Sequence, residues 1–243
     1  MPDDTLHILS TRPLDESLIT RAGDNNIIID SVSFIRTEQI RNDILEKQIA
    51  DAIHHSSTVV FTSMNAADAV ADYAGGNLPQ WNIYCLGTAT KEIILNRFPL
   101  SHISGEADNA SSLADAIIRN DVQEVIFFCG DQRRDELPGK LANQNIAVEE
   151  MIVYKTIATP EKMEKEYSGI LFFSPSAVES FFSVNSVSED TILFSIGSTT
   201  SDCIKLYCTN KIIQSDLPGK KNLAEKVINY FGKSNHTNEY IKK

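Results

Sequence analysis

The chain has 243 residues and a mass of 27.0 kDa, which allows one large domain or two of ordinary size. Hydrophobic residues make up 42% of it and charged residues 23%, as in folded globular chains, so neither wholesale disorder nor a coiled coil describes it. With 22 Lys and Arg against 33 Asp and Glu the net charge is -11, which excludes the broad basic surface of a sequence-independent nucleic-acid binder.

Short apolar runs alternate along the chain with segments of helical period. The clearest predicted elements, in chain order, are strands at 59–61 and 84–86, helices with apolar faces at 93–98 and 113–118, and strands at 125–128 and 170–173. Apolar residues occupy both faces of the predicted strands, as in parallel sheets that helices cover on two sides. The sequence therefore predicts an α/β fold.

The chain repeats part of its own pattern at a fixed spacing. Leu9–Thr11 corresponds to Phe128–Gly130 at an offset of 119, and Phe61–Ala66 to Phe172–Ala177 at an offset of 111. These pairs predict a duplicated α/β unit of about 110 to 120 residues, and hence two similar domains. The repeat alone suggests a division near Asn120 into contiguous halves. It leaves open an interleaved arrangement in which the first strands pair with the last.

Several kinds of site have no support in the sequence. The four cysteines form no CxxC pair and the five histidines are scattered, so we expect no metal site. Dinucleotide-binding, Walker and nucleophile-elbow motifs are absent. No apolar run reaches the roughly 18 residues that a membrane span needs, and the first ten residues are acidic where a secretory signal is basic. We therefore expect a cytoplasmic protein without a membrane partner.

Turns rich in small and hydroxyl residues follow many of the predicted strands. Ser, Thr and Asn at such positions most often cap helices. In parallel sheets, however, ligands bind beyond the carboxyl ends of the strands, where helix N-termini present N–H donors to anions. Six such turns in one chain favour a binding site for an anionic ligand. They are 10–13, 62–65, 87–90, 129–131, 174–176 and 197–200.

These turns also carry a resemblance to a known family. The segments concerned are Ser10–Pro13, Phe61–Ala66, Tyr84–Thr90, Cys129–Pro138, Val153–Thr156, Phe172–Ala177 and Ser195–Thr200. In this order and spacing they resemble uroporphyrinogen-III synthases, from about Leu9 to Phe231. Each motif alone is weak, and their combination is specific.

The resemblance implies two similar flavodoxin-like α/β domains with parallel sheets, interleaved in sequence. Residues 1–36 and 157–243 would form a discontinuous first domain, with residues 37–156 inserted as the second. Val32–Arg36 and Ile152–Ile157 would be the two strands of the linker, and the active site would lie in the cleft between the domains.

The implied activity is a step of porphyrin, tetrapyrrole and heme biosynthesis. A cyclising hydro-lyase without cofactor or metal would convert hydroxymethylbilane, a linear polycarboxylate, to uroporphyrinogen III. Water leaves the terminal hydroxymethyl group, and ring D is inverted through a spiro intermediate. The small-molecule partner would be hydroxymethylbilane, handed over by hydroxymethylbilane synthase to a monomer of this chain, and no nucleic acid would take part.

The resemblance also implies site residues. Tyr154 matches the tyrosine that is proposed in the family to assist loss of the hydroxyl, with packing between domains as the alternative role. Substrate carboxylates would be bound by small, hydroxyl and basic residues, with Arg134 as a further cation. These are Thr11, Arg12, Thr62, Ser63, Asn65, Gly87, Thr88, Gly130, Lys155, Ser174, Ser176, Gly197, Ser198 and Thr199.

Two other classes of function share some of these features. A hinged two-domain module that binds a small anionic ligand or tetrapyrrole without turnover would have similar turns, because fold does not fix function. A receiver-like signalling domain would need clustered acidic residues after the first strand, where Ser10–Arg12 is hydroxylic and basic. An activity assay separates the enzyme from the binding module.

Overall fold

Strands and helices alternate along the computed structural model, which describes residues 5–217 and 219–238. The strands are β1 (Leu6–Ser10), β2 (Ile27–Ser31), β3 (Ile35–Gln39), β4 (Thr58–Phe61), β5 (Asn82–Leu86), β6 (His102–Ala107), β7 (Glu124–Gly130), β8 (Ala147–Ala158), β9 (Gly169–Phe172), β10 (Ile192–Ser195) and β11 (Ile212–Gln214). The helices are α1 (Glu16–Gly23), α2 (Asp43–His54), α3 (Met64–Ala74), α4 (Thr88–Arg97), α5 (Ala110–Arg119), α6 (Glu136–Ala142), α7 (Pro175–Phe182), α8 (Ser198–Lys205) and α9 (Lys220–Asn238).

The chain divides into two compact units. The first unit consists of Met1–Arg36 and Ile157–Lys243, and the second of Thr37–Thr156. Strand β1 pairs with β9, which lies far along the chain, with Leu9 opposite Ile170. A division into contiguous halves near Asn120 would break this pairing.

The first unit is a five-stranded parallel sheet in the order β2-β1-β9-β10-β11. Numbered by their sequence order within the unit, these strands run 2-1-3-4-5, the flavodoxin-like order. One face is covered by α1 and α9, whose buried residues include Leu18, Leu223 and Val227. The other face is covered by α7 and α8, through Phe181 and Ile204.

The second unit repeats this order with its strands permuted in sequence. Its sheet runs β8-β7-β4-β5-β6, with β3 added next to β8. Strands β7 and β8 take the places of β1 and β2, and β4, β5 and β6 those of β9, β10 and β11. The same pairing of segments gives the offsets of 119 and 111, so the predicted α/β class and the two similar units are confirmed.

The added strand β3 differs from its predicted position. The family resemblance implies a linker strand at Val32–Arg36, but β3 begins at Ile35 and ends at Gln39. The cause is that 32–34 belong to the first unit: Val32 N–H donates to the carbonyl of Ser10 (3.0 Å), and Phe34 is fully buried beside Phe181. The other predicted linker strand, 152–157, lies within the longer β8.

Side-chain caps fix where several helices begin. The side chains of Asn42, Ser63, Asn109 and Ser174 each accept a hydrogen bond from a backbone N–H two or three positions further on, at 2.8–3.2 Å. Each cap satisfies a donor that the first helical turn would otherwise leave unpaired. Among the described residues, no helix combines the length and apolar character that crossing a bilayer requires.

Candidate active site

In each unit, two neighbouring strands send the chain to opposite faces of the sheet. In the first unit these are β1, followed by α1 on one face, and β9, followed by α7 on the other. In the second unit they are β7, followed by α6, and β4, followed by α3. Ligands of open α/β sheets bind at such switch points, beyond the carboxyl ends of the strands. The structure therefore places one candidate subsite in each unit.

The subsite of the first unit brings together predicted residues from three adjacent strands. Thr11 and Arg12 follow β1, Ser174 and Ser176 follow β9, and Gly197, Ser198 and Thr199 follow β10. Ser198 and Thr199 are exposed at the N-terminus of α8, and Arg12 is also exposed. These groups can offer N–H, O–H and guanidinium donors to a carboxylate.

Thr11 is less available than its position suggests. Its side chain is 2% exposed, and its hydroxyl donates to the carbonyl of Leu171 at 2.7 Å. Its backbone N–H donates to the same carbonyl at 3.0 Å. These bonds hold the end of β1 against β9. The predicted role of Thr11 in binding is thus replaced by a structural one, because its hydroxyl is buried and already donates to a backbone carbonyl.

The subsite of the second unit has the other predicted residues around β7, β4 and β5. Thr62, Ser63 and Asn65 are half-buried after β4. After β5, Gly87 has φ +80°, a conformation that side chains rarely adopt, and Thr88 is exposed at the start of α4. Gly130 ends β7, and Tyr154 and Lys155 lie within β8.

Tyr154 lies directly opposite Gly130 because of a bulge in β8. Cys129 pairs with Ile152 and Gly130 with Tyr154, so Val153 is an extra residue in β8. A bulge of this kind redirects the side chains that follow it. A Cβ atom on Gly130 would lie 2.4 Å from Cζ of Tyr154, far inside contact distance. Only glycine leaves room for the ring in this place.

The Tyr154 hydroxyl reaches across to the end of β4. It donates to Ser63 Oγ at 3.1 Å, and the half-buried ring packs against the core below. Burial raises the pKa of Tyr154, and the hydrogen bond to Ser63 offsets part of that shift. Tyr154 is thus a neutral phenol at physiological pH, held at the switch point of the second unit.

Ser63 serves two partners at once. Besides the bond from Tyr154, its Oγ accepts the backbone N–H of Asn65 at 3.2 Å, which caps α3. Two accepted bonds use both lone pairs of a serine hydroxyl and leave its own O–H to donate. Among the described residues, the hydrogen bonds of Ser63 Oγ are the two that it accepts, from Asn65 and Tyr154.

Two basic side chains near the second subsite already form ion pairs with neighbouring carboxylates. Lys155 Nζ lies 3.8 Å from Glu38 Oε1, with both side chains about half exposed. Arg133 pairs with Glu150 and Asp135, whereas Arg134 is exposed. The donors that this subsite offers are therefore mostly neutral hydroxyl and N–H groups.

Asp131 supports the site structurally, although the sequence did not single it out as a site residue. Its backbone N–H donates to the carbonyl of Tyr154 at 3.1 Å, and its Oδ1 accepts the N–H of Thr156 at 2.9 Å. The two bonds hold β8 around the bulge. The sequence carries no signal for the second bond, because Thr156 lies 25 residues further along the chain.

A cavity of about 670 Å³ lies at the opposite edge of the second sheet, between α2 and the amino ends of β4, β7 and β8. Its rim carries Lys47 and His55 together with three carboxylates, Asp51, Glu124 and Glu149. An acidic rim suits a polycarboxylate poorly. In the described ranges, 5–217 and 219–238, no group of three metal-ligating side chains is found. The strand-end loops therefore remain the candidate site.

Comparison with known proteins decides the family. The family model described as uroporphyrinogen-III synthase HemD matches residues 16–225, most of the chain. The chain belongs to the uroporphyrinogen-III synthase family. The resemblance that the sequence motifs carry is thus confirmed, and most of the strand-end loops described above fall inside the matched region.

Individual members of the family are more distant. The uroporphyrinogen-III synthase of Saccharomyces cerevisiae is 37% identical over 83 residues, so the match spans 30% of this chain and 30% of the yeast protein. The uroporphyrinogen-III synthetase of Helicobacter pylori 26695 covers 93% of this chain and 100% of its own, with TM-score 0.64 and 13% identity.

A mutant uroporphyrinogen III synthase from Thermus thermophilus covers 93% of this chain and 97% of its own, with TM-score 0.61 and 12% identity. At these identities the two structures show a shared fold. The predicted fold class, α/β with parallel sheets, is therefore confirmed, and the strand order of the first unit is the flavodoxin-like one.

Proposed function

We propose that this protein closes hydroxymethylbilane to uroporphyrinogen III, with loss of water and inversion of ring D, as a cyclising hydro-lyase. The observation that carries the proposal is the family match over residues 16–225. The geometry supports it with a half-buried, neutral phenol, Tyr154, at a switch point. A phenol is suited to supply a proton to a departing hydroxyl.

Binding of the substrate follows from the donors at the two switch points. In the first unit, Arg12, Ser174, Ser176, Ser198 and Thr199, with the backbone at Gly197, donate to carboxylates. In the second, Thr62, Asn65 and Thr88, with the backbone at Gly87, do the same, and Lys155 contributes a cation already shared with Glu38. That both sets meet one substrate in a cleft stays a prediction of the family resemblance.

The chemistry needs geometry more than strong acid. The hydroxymethyl carbon sits on an electron-rich pyrrole, so its C–O bond breaks with modest help from a proton that Tyr154 supplies. The carbon then attacks the substituted position of ring D, and the resulting spiro intermediate reopens and closes with that ring inverted. The main contribution of the donors is to hold the bilane in the folded conformation that this attack needs, because the free bilane closes without inversion.

The proposal is tested by the isomer that forms. Purified protein is mixed with hydroxymethylbilane generated by hydroxymethylbilane synthase, and the oxidised products are separated by chromatography. Type III product is expected to form faster than the spontaneous type I product, and EDTA is expected to leave the rate unchanged. Type I alone, with folded protein in excess, contradicts the proposal and favours a module that binds without turnover. A cytoplasmic location and hand-over from the preceding synthase stay predictions.

A further inference from the structure

The hydroxyl groups of Tyr154 and Ser63 form a directed chain. A phenol has one proton, and that of Tyr154 is donated to Ser63 Oγ at 3.1 Å. Ser63 Oγ also accepts the N–H of Asn65, so both of its lone pairs are used. The hydrogen-bonding capacity that remains on Ser63 is its own O–H. In this arrangement the Ser63 O–H is the group that can donate to a ligand, and the Tyr154 O–H donates to Ser63.

We propose that Ser63, rather than Tyr154, touches the departing hydroxyl, that Tyr154 replaces the proton that Ser63 gives up, and that Gly130 seats the Tyr154 ring for this transfer. This inference rests on the proposed function and assigns the order of its proton donors. Ser63 is then a catalytic residue, and Gly130 is a positioning residue that acts through Tyr154.

The proton balance closes without any added reagent. The C–O bond of the hydroxymethyl group breaks, the leaving oxygen takes the proton of Ser63, and water departs. The pyrrole supplies the electron pair that stabilises the carbon left behind, and Ser63 Oγ takes the proton of Tyr154. After ring closure the product loses one proton, which returns to the Tyr154 phenolate.

The direction of transfer is favourable although burial raises the pKa of Tyr154. The departing group becomes water, which is a far weaker acid than a phenol, so proton transfer toward the leaving oxygen is downhill. Ser63 carries no net charge before or after the step. Its position at the N-terminus of α3 places the helix dipole where the Tyr154 phenolate develops.

Gly130 fixes the geometry of this chain. A Cβ at that position would lie 2.4 Å from Cζ of Tyr154 and 2.7 Å from its hydroxyl oxygen. Gly130→Ala must therefore displace the ring and its hydroxyl from Ser63. The same unit offers a matched control, since a Cβ on Gly105 would lie 2.7 Å from the ring of Tyr84. Tyr84 lies in β5, accepts a hydrogen bond from Asn120 and packs in a different core cluster from Tyr154.

The test compares Ser63→Asn, Ser63→Thr and Tyr154→Phe for the rate of type III formation. Asparagine keeps the cap of α3, as Asn42 and Asn109 cap other helices of this unit, but it lacks the hydroxyl. We expect Ser63→Asn and Tyr154→Phe each to lower kcat by about 10 to 100-fold with a smaller change in KM. Ser63→Thr keeps the hydroxyl and should restore most of the rate. The double variant Ser63→Asn/Tyr154→Phe should be about as slow as the slower single one, because the two act as a unit.

Two further measurements separate a chemical role from a structural one. Gly130→Ala should lower kcat about as much as Tyr154→Phe, whereas Gly105→Ala should lower thermal stability and keep the kcat of the native protein below its unfolding temperature. A normal solvent deuterium isotope effect on kcat should shrink in Ser63→Asn. An active native protein whose Ser63→Asn variant keeps its kcat overturns this inference alone. A native protein that makes no type III product overturns the proposed function, and this inference with it.

Discussion

At both switch points, hydroxyl residues that look equivalent in the sequence have different hydrogen-bond partners in the structure. Among the turn residues, Thr62 and Ser63 look alike in the sequence, yet Ser63 alone of the two accepts the Tyr154 hydroxyl. Likewise Thr11 and Ser174 are both hydroxyl residues after a strand, but Thr11 is buried and spends its hydroxyl on Leu171. The residue types were predictable, whereas their partners depend on contacts between strands far apart in the chain.

Replacing Tyr154 by Phe removes a single oxygen and should leave the fold intact. We expect the rate of type III formation to fall by about 10 to 100-fold, the low end for acid assistance, because the leaving group departs readily from an electron-rich pyrrole. The measurement is kcat on generated hydroxymethylbilane, with circular dichroism melting as the control. Unchanged kcat would assign Tyr154 a packing role in the second unit.

The other hydroxyl residues should matter less one at a time. Thr62→Ala, Ser198→Ala or Thr199→Ala each removes one neutral donor among many, worth about 0.5 to 1.5 kcal/mol. That corresponds to a fall of about 2 to 10-fold in kcat/KM. If one of these variants loses more than Tyr154→Phe at unchanged thermal stability, the chemistry lies at that residue instead.

Elements were predicted well where both faces are buried and less well at the joints. Strands β4, β7 and β9 are apolar along most of their length, so their runs stand out in the sequence. The linker strand that the family resemblance implies at Val32–Arg36 begins three residues later, because Val32 and Phe34 belong to the sheet and core of the first unit. The bulge at Val153 has no sequence signal of its own, and yet it sets Tyr154 opposite Gly130.

The cap of α5 gives a prediction at the scale of one element. Asn109 accepts the N–H of Ser112 at 2.8 Å, outside the candidate site. Asn109→Ala should lower the free energy of unfolding by about 1 kcal/mol, and Asn109→Ser, which can cap, by much less. Urea unfolding of the two variants tests this, and equal stability of both would show that the cap contributes nothing. Both variants should keep the native kcat.

Over the whole molecule, duplication is the feature that sequence reasoning could find. The offsets of 119 and 111 differ because the two copies are joined differently, and the spatial arrangement of strands in the first unit recurs in the second with the strands permuted in sequence. The offsets show which strands are equivalent in the two copies, but not which strands pair in a sheet. The pairing of β1 with β9 therefore cannot be deduced from them. The residues alone therefore left the interleaved and contiguous arrangements open.

The net charge of -11 gives a prediction for the whole chain. A polycarboxylate approaching it is repelled at long range, and raising the ionic strength from about 0.01 M to about 0.15 M shortens the screening length from about 30 Å to about 8 Å. The donors of the second subsite are mostly neutral, so added salt should weaken their hydrogen bonds to the substrate carboxylates only a little. We expect kcat/KM to rise over this range. A steep fall instead would mean that cations such as Arg12 dominate binding.

The central claim is that this chain inverts ring D, and the most direct measurement follows the bond that inversion creates. Hydroxymethylbilane is labelled with ¹³C at the hydroxymethyl carbon and at the ring D carbon that already bears the inner bridge. Inversion joins these two carbons directly, so the product formed with the native protein should show a one-bond carbon–carbon coupling by NMR. A product without that coupling, made while folded protein is in excess, would mean that the ring closed unaided and would contradict the account.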